Sequence, residues 1–411
     1  MNNQNRLWIG HRLSDGLLFA LHLKEIDRFY VCECLNNIFN NNVNVKYKIC
    51  KKNHTSCFDI DGIIDNYTKE INFDISIGYS VFPYYLSKKA LSKINTKNIP
   101  NRSVFSSELS REEQFRLVNN FNKITTPKFF IPSSKTSWEE IKKVIGSPII
   151  CQYDNTSSGT GTFLISNDYE YSLLIKTNGV PSITTQFIED AITCSTHIFI
   201  SDNKNVIFQP SVQIIETAQN NQGEYFRYKG NDFASYFKYL NNTEINMFLN
   251  KVAKCYRDLG IRGLLGIDFI VSKMKAYYIE TNFRIQNSTS LLSYLQLLSD
   301  DKNNIADFAV DKSVQDILTP YIQGFQYYIT VNSLSIKTGY YDSKGNFLRD
   351  FNHKNRVQHK DDEYLVFASH MYDNASTNLR IIGLGKALDE SNNLELHLEE
   401  FIEALIKPFD T

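Results

Sequence analysis

The stretch GLLGIDFIVSKMKAYYIETNFR, residues 263–284, decides how this chain is read. Two largely apolar runs, 266–271 and 276–281, flank a short basic break, the pattern of a β-hairpin. Side chains alternate faces along a strand, so Glu280 and Asn282 share one face. With 273–275 as a three-residue loop, Asp268 falls opposite Glu280, their Cβ atoms about 5 Å apart. Two carboxylates and an amide oxygen then converge, while Ile267, Phe269, Ile279 and Thr281 turn the other way. Like charges directly opposite on a sheet destabilise it, and a hard divalent cation removes the conflict. Oxygen-only ligands suit Mg2+, which takes one or two carboxylates together with substrate phosphates. Arg284, two residues beyond Asn282, reaches the same face and can clamp phosphate oxygens. The competing reading is a surface hairpin with solvated charges. The apolar flanks and the Asn–x–Arg continuation weigh against it.

Upstream, Ser110 followed by Glu112 and Glu113 opens a helix whose apolar stripe is Phe115, Val118 and Phe121. A short strand over 128–131 and a helix over 138–144, capped by Ser137 and stopped at Gly146, follow. From 148 the pattern turns to strands: 149–152 and 162–166 around a polar Gly/Ser loop, then 182–189, 196–201 and 205–213. A helix over 242–259 carries Ile245, Phe248, Leu249, Val252, Ala253 and Tyr256 at helical spacing. Residues 300–326 read as helical. The tail adds strands at 327–335 and 365–369 and a final helix over 394–405. In the first hundred residues, strands over 7–9, 29–34, 43–49 and 74–77 alternate with helices such as 62–69 and 83–94, which suggests a parallel α/β lobe. No glycine-rich turn follows the first strand, so nothing marks that lobe as a dinucleotide site.

Three further segments complete an ordered set. SPIICQYDNTSSGTGTFLIS (147–166) is a strand–glycine loop–strand, ITTQFIED (183–190) a strand with an acidic end, and NVIFQPSVQII (205–215) a further strand. With Gly–Ile–Asp–Phe and Glu–x–Asn–x–Arg at 266–284, the set resembles the ATP-grasp superfamily over roughly 100–300. The resemblance implies an α/β chain with α+β lobes: a parallel N-terminal lobe (1–105), a small central lobe (106–190), a larger antiparallel lobe with the metal site (191–326) and a C-terminal extension (327–411). It implies ATP and one or two Mg2+ ions, with Mn2+ as a substitute. Asp268, Glu280 and Asn282 would be the metal ligands and Arg284 the catalytic cation. Gln152, Ser157, Ser158, Gly159 and Gly161 would lie on the phosphates, and Gln186, Phe187, Ile188 and Glu189 on adenine and ribose. The chain departs from the family at Gln152, where a lysine usually reaches the phosphates. Lys176 and Arg111 are the candidates to replace that charge.

The implied chemistry is activation of a small carboxylic acid as an acyl phosphate and its transfer to an amine. The resemblance is to amino acid and peptide ligases of natural-product pathways, with acylation of a carrier-protein thiol and nucleotide binding without ligation as alternatives. Phosphoryl transfer asks for positioning and charge neutralisation, so no side-chain nucleophile is required. Balanced charge, 44 Lys plus Arg against 45 Asp plus Glu, gives no reason to expect nucleic acid or a membrane as partner. The seven cysteines lack framework spacing and suit a reducing compartment. Cys32 and Cys34 sit too close for a zinc knuckle and read as strand residues. The N-terminus does not read as a signal peptide. A cytoplasmic protein, with a homodimer allowed, is the expectation.

Overall fold

The computed structural model describes residues 6–10, 12–24, 26–31, 44–47, 78–79, 109–120, 124–154, 156, 159, 161–203, 205–220, 223–239, 242–299, 304–309, 322–332, 336–355, 357–370 and 376–407. The first lobe contains β1 (Arg6–Gly10), α1 (Leu13–His22), β2 (Ile26–Val31), β3 (Asn44–Tyr47) and β4 (Gly78–Tyr79). Its four strands form a sheet in the order β3-β2-β1-β4 with every pairing parallel, as the strand–helix alternation predicts. The expected helices over 62–69 and 83–94, and the cysteines at 32, 34, 50 and 57, lie outside the described residues.

Next come α2 (Arg111–Asn120), β5 (Phe129–Phe130), α3 (Trp138–Ile145), β6 (Ile149–Gln152), β7 (Thr162–Ile165), α4 (Asp168–Asn178) and β8 (Ile183–Gln186). Ser137 and Glu140 close a full capping box on α3, so the sequence signature for its start is literal. Trp138, Ile141 and Ile145 of α3 pack with Tyr171 and Leu174 of α4 on Ile149, Cys151, Phe163 and Ile165, a small separate core.

The large sheet is built from β9 (Ile192–Ile200), β10 (Asn205–Ile207), β11 (Ser211–Asn220), β12 (Gly223–Asp232), β13 (Gly263–Ser272), β14 (Lys275–Asn282), β15 (Phe325–Val331), β16 (Gly339–Asp342), β17 (Phe347–Asp350), β18 (Glu363–His370) and β19 (Thr377–Gly383). Helices α5 (Thr243–Asp258), α6 (Asn287–Leu298), α7 (Ile305–Ala309) and α8 (Leu396–Ile406) pack around it. Its main path is β14-β13-β9-β11-β12-β15-β19-β18-β16-β17. The small lobe joins through β7, which pairs with β12. The tail strands continue the same sheet, since β15 pairs with β12 and β19.

Three expectations change. The strand expected over 205–213 breaks at Phe208, Gln209 and Pro210. Pro210 has no N–H to give a ladder, and the Gln209 amide serves Phe233 O, Ile322 O and the Ile322 N–H instead. Within 300–326, α7 covers five residues and β15 begins at Phe325, so the region is not one helix. Strand β12 was not expected at all: charge and glycine in GEYFRYKGND hide its alternation.

The hairpin turn also differs. Strand β13 runs to Ser272 and β14 starts at Lys275, leaving a two-residue turn of Lys273 and Met274 at φ 48° and 61°. Left-handed backbone costs a residue with a Cβ about 1–2 kcal/mol. Met274 is solvent-exposed, so Met274→Gly is expected to raise stability by about 1 kcal/mol in chemical denaturation. An unchanged or lower midpoint would show that the turn carries no such strain.

Candidate functional site

A two-residue turn alone would pair Ile267 with Glu280 and leave Asp268 on the opposite face. The register instead shifts by one residue between Asp268 and Phe269. Phe269 pairs with Tyr278, Asp268 pairs with Glu280, and Ile279 is the extra residue of a β-bulge. The expected pairing is therefore present, but a bulge produces it rather than a longer loop. The core assignment changes accordingly. Ile267, Phe269 and Thr281 are buried, whereas Ile279 is only half-buried and the fully buried Tyr278 takes its place in the core.

The site's hydrogen bonds converge on Asp268. Its Oδ2 accepts from Asn282 Nδ2 at 2.9 Å, and its Oδ1 accepts from Gln213 Nε2 at 3.0 Å and from Gln286 Nε2 at 3.5 Å. Gly266 makes room for Gln286: a Cβ there would fall 2.1 Å from Gln286 Oε1. Glu280 takes a different partner, Arg111, whose Nη1 lies 3.0 Å from Glu280 Oε2. Arg111 also donates its backbone N–H to Asp154 Oδ1 at 3.1 Å and its Nε to Tyr153 O at 3.4 Å, so it ties the metal-side strand to the start of the glycine loop. The two facing carboxylates thus have a protein solution to their repulsion, and repulsion by itself does not demand a metal. What fits a hard cation is the donor set: two carboxylates and the Asn282 amide, whose nitrogen is turned to Asp268. Among the described residues there is no group of three or more His, Cys, Asp or Glu that could hold a metal ion. A divalent ion at this site would therefore complete its shell with phosphate oxygens and water.

Burial, and then the nearby Glu280, push the Asp268 carboxyl up to about 7, against the pull of Gln286, Arg284 and Asn282. Asp268 binds its proton more tightly folded than unfolded. Its contribution to stability is full below about pH 4 and is lost as pH rises through about 7. A cation must displace that proton. Mn2+ affinity is expected to strengthen as pH rises from about 6 to about 8, approaching tenfold per unit below the Asp268 pKa. Flat affinity across that range would remove Asp268 from the ligand set.

The other sequence-predicted residues fall as follows. Gln152 ends β6, buried, opposite Thr162 and Ile183. Ser157 and Ser158 lie outside the described residues. Gly159, at φ +79°, sits against β12, where a Cβ would be 2.5 Å from Phe226 O, and a Cβ on Gly161 would be 2.4 Å from the Thr156 side chain. Gln186 ends β8 with its N–H on Lys128 O at 2.8 Å; Phe187 and Ile188 are half-buried, and exposed Glu189 accepts from Ser272 Oγ at 3.1 Å through its backbone carbonyl. Arg284 is half-buried, close enough for its charge to favour ionised Asp268. Lys176 lies on α4, outside these contacts. Cys151 and Cys194 are fully buried on β6 and β9, and burial pushes both thiols up, away from nucleophilic use.

Sequence reasoning missed several neighbours. Strand pairing puts Ser195 opposite Asp268, Ser211 opposite Ser195, Asn231 opposite Gln213 and Gln326 opposite Asn231. A polar row thus runs from the carboxylates across the sheet to Arg380, paired with Tyr328 on β15. Isolated Ser, Asn and Gln carry no periodic signal; only register collects them. His197 sits buried on the same face, contacting Ser288 Oγ at 3.2 Å and Thr289 Oγ1 at 3.4 Å, and burial lowers its pKa to about 3, so it stays neutral.

Comparison with known proteins agrees with this geometry. Residues 115–288 match the family model described as an ATP-grasp domain. No curated protein matches the sequence. The biotin carboxylase domain of 2-oxoglutarate carboxylase from Hydrogenobacter thermophilus, solved with MgADP, ADP and bicarbonate, superposes at TM-score 0.63 and 13% identity, over 93% of this chain and 86% of that one. N5-carboxyaminoimidazole synthetase from Staphylococcus aureus, solved with ADP, gives TM-score 0.59 and 12% identity over 98% and 99%. An L-amino acid ligase from Bacillus licheniformis gives 0.58 and 13% over 93% and 94%. At these identities the likeness is one of fold. Residues 115–288 thus carry an ATP-grasp domain, and Asp268, Glu280, Asn282 and Arg284 all fall inside the matched stretch. No helix among the described residues is long and apolar enough to cross a membrane.

Proposed function

We propose that this chain is an ATP-dependent, ADP-forming ligase that activates a small carboxylic acid, an amino acid or short peptide, and joins it to an amine. The observation that carries the reading is the convergence of Asp268, Glu280 and Asn282 beside Arg111 and Arg284, at the strand pair matched by the family model. Asp268, Glu280 and Asn282 would hold one or two Mg2+ ions, which supply charge neutralisation for the phosphates. Arg111 supplies the positive charge that Gln152 lacks, from beside the start of the glycine loop. The substrate carboxylate oxygen attacks the γ-phosphorus while the bond to ADP breaks. The amine nitrogen then attacks the acyl carbon, phosphate leaves, and the amine gives up a proton. Arg284 balances the charge of the transferred phosphoryl group. The glycine loop and residues 186–189 would hold the nucleotide. Partners are then small carboxylates and amines.

Neutral, buried Gln152 favours a second reading, nucleotide binding without ligation. The test is ADP release with a panel of amino acids and short peptides, with products identified by mass. Amide products from wild type and none from Glu280→Gln support the ligase. Nucleotide binding with no pair of substrates giving ADP above the Glu280→Gln background supports the second reading.

A further inference from the structure

Strand β14 is the edge of the large sheet, and it carries Glu280 and Asn282. An edge strand has outward-facing N–H groups that need cover. Here the cover comes from α2 and the segment that follows it, whose Phe115, Val118 and Ile124 pack in the core under this sheet. The Tyr278 N–H donates to Thr125 O at 2.9 Å, and the Thr281 N–H donates to Gln114 Oε1 at 2.8 Å. The same Gln114 oxygen accepts from the Tyr278 hydroxyl at 2.8 Å. Gln114 Nε2 is anchored on Leu109 O at 3.0 Å, and the residue is 2% exposed. One amide oxygen therefore grips both sides of the bulge, since Tyr278 precedes Ile279 and Thr281 follows Glu280. Tyr278 is fixed further by Tyr256, hydroxyl to hydroxyl at 3.0 Å, and its oxygen lies 2.9 Å from Thr281 Oγ1, whose hydroxyl can donate to it. Arg111, one turn earlier on α2, meets Glu280 itself.

We propose that Gln114 is a positioning residue for the metal site: by holding the bulge in β14 it keeps Glu280 on the face of Asp268. Without the bulge, the two-residue turn would bring Glu280 into register with Ile267, on the core face, and the two carboxylates would part. A single amide on α2 thus decides whether β13 and β14 present one ligand or two. This inference rests on the ligase reading only in taking Asp268 and Glu280 as ligands of one cation.

The test uses Mn2+ as probe, titrated by electron paramagnetic resonance into the full chain with ADP, beside ADP binding measured without metal. Gln114→Met removes the acceptor at nearly constant volume. It is expected to weaken Mn2+ about 10- to 100-fold, the usual effect of losing an outer-shell partner. Metal-free ADP affinity should stay within about twofold. Gln114→Glu, which keeps an acceptor oxygen, should recover most of the Mn2+ affinity. Tyr278→Phe, which removes the one side-chain donor to that oxygen, leaves the Thr281 N–H and keeps the buried ring, should move Mn2+ the same way by less, and it stands in if Gln114→Met does not fold. Unchanged Mn2+ affinity in these variants, or equal losses of Mn2+ and metal-free ADP, would overturn the proposal. A wild-type chain that binds Mn2+ with ADP while the variants bind it equally tightly overturns the positioning role alone. A wild-type chain that binds neither overturns the ligase reading with it.

Discussion

Glu280→Gln is expected to lower substrate-dependent ADP release about 10^3-fold, the scale set by losing one preorganised electrostatic group at a charge-transferring centre. The substitution keeps shape and removes one charge, so two consequences separate. The cation loses a carboxylate ligand, and its half-saturating concentration rises. Arg111, buried to all but 9%, loses the partner 3.0 Å from its Nη1. Glu280 is 27% exposed, so solvent moderates the second effect and the stability loss should be modest, about 1–2 kcal/mol. Turnover and the metal titration carry the first effect, and the denaturation midpoint carries the second. Retention of more than about a tenth of wild-type ADP release would show that Glu280 lies outside the reaction.

The largest stability effect is expected far from the carboxylates, at Arg380. Its Nη1 donates to Asp15 Oδ1 at 2.7 Å, and its Nη2 donates to Gln326 Oε1 at 2.6 Å and Ser290 Oγ at 2.9 Å. Asp15 also accepts from Ser290 Oγ at 2.6 Å. The pair is 3% and 1% exposed, so water screens almost nothing. It ties α1 of the N-terminal lobe, α6 beyond the carboxylate hairpin and β19 of the tail. Arg380→Met strands a buried carboxylate, and breaking such a pair costs about 3–5 kcal/mol. The thermal midpoint should fall by roughly 3–6 °C, with the first lobe loosening first in hydrogen exchange. Combining it with Asp15→Leu removes both charges and should restore much of the loss. A double variant as unstable as the sum of the two would show that the pair is not the source.

Much of the site was legible because its residues are close in sequence and their types are chemically expensive. Two carboxylates and an amide within one hairpin mark a candidate cation site from sequence alone, although only the structure shows that Arg111 already pairs with one of them. The capping box at Ser137 and Glu140 was legible for the same reason: both partners lie within one turn. The turn was not. Lys273 and Met274 adopt left-handed backbone usually given to Asn and Gly, so the sequence pointed to a longer loop. Two departures, a shorter turn and a bulge, cancel in the Asp268–Glu280 pairing and leave their trace at Tyr278. Arg111 could be named as a source of charge, but nothing in the sequence aimed it at Glu280, 169 positions away.

By itself, the sequence located most of the elements and the candidate oxygen donors, because these rest on local periodicity, capping or spacing within a strand pair, and the ATP-grasp resemblance, because that rests on the order of a few short motifs. Only the tertiary structure decided which residues complete the site. Gln114 on the bulge, Arg111 on Glu280, Gln213 and Gln286 on Asp268, and Arg380 on Asp15 are all meetings between distant segments. Strand register and lobe packing set such meetings, and a single residue's slip at Ile279 would undo the one on which the carboxylate face depends.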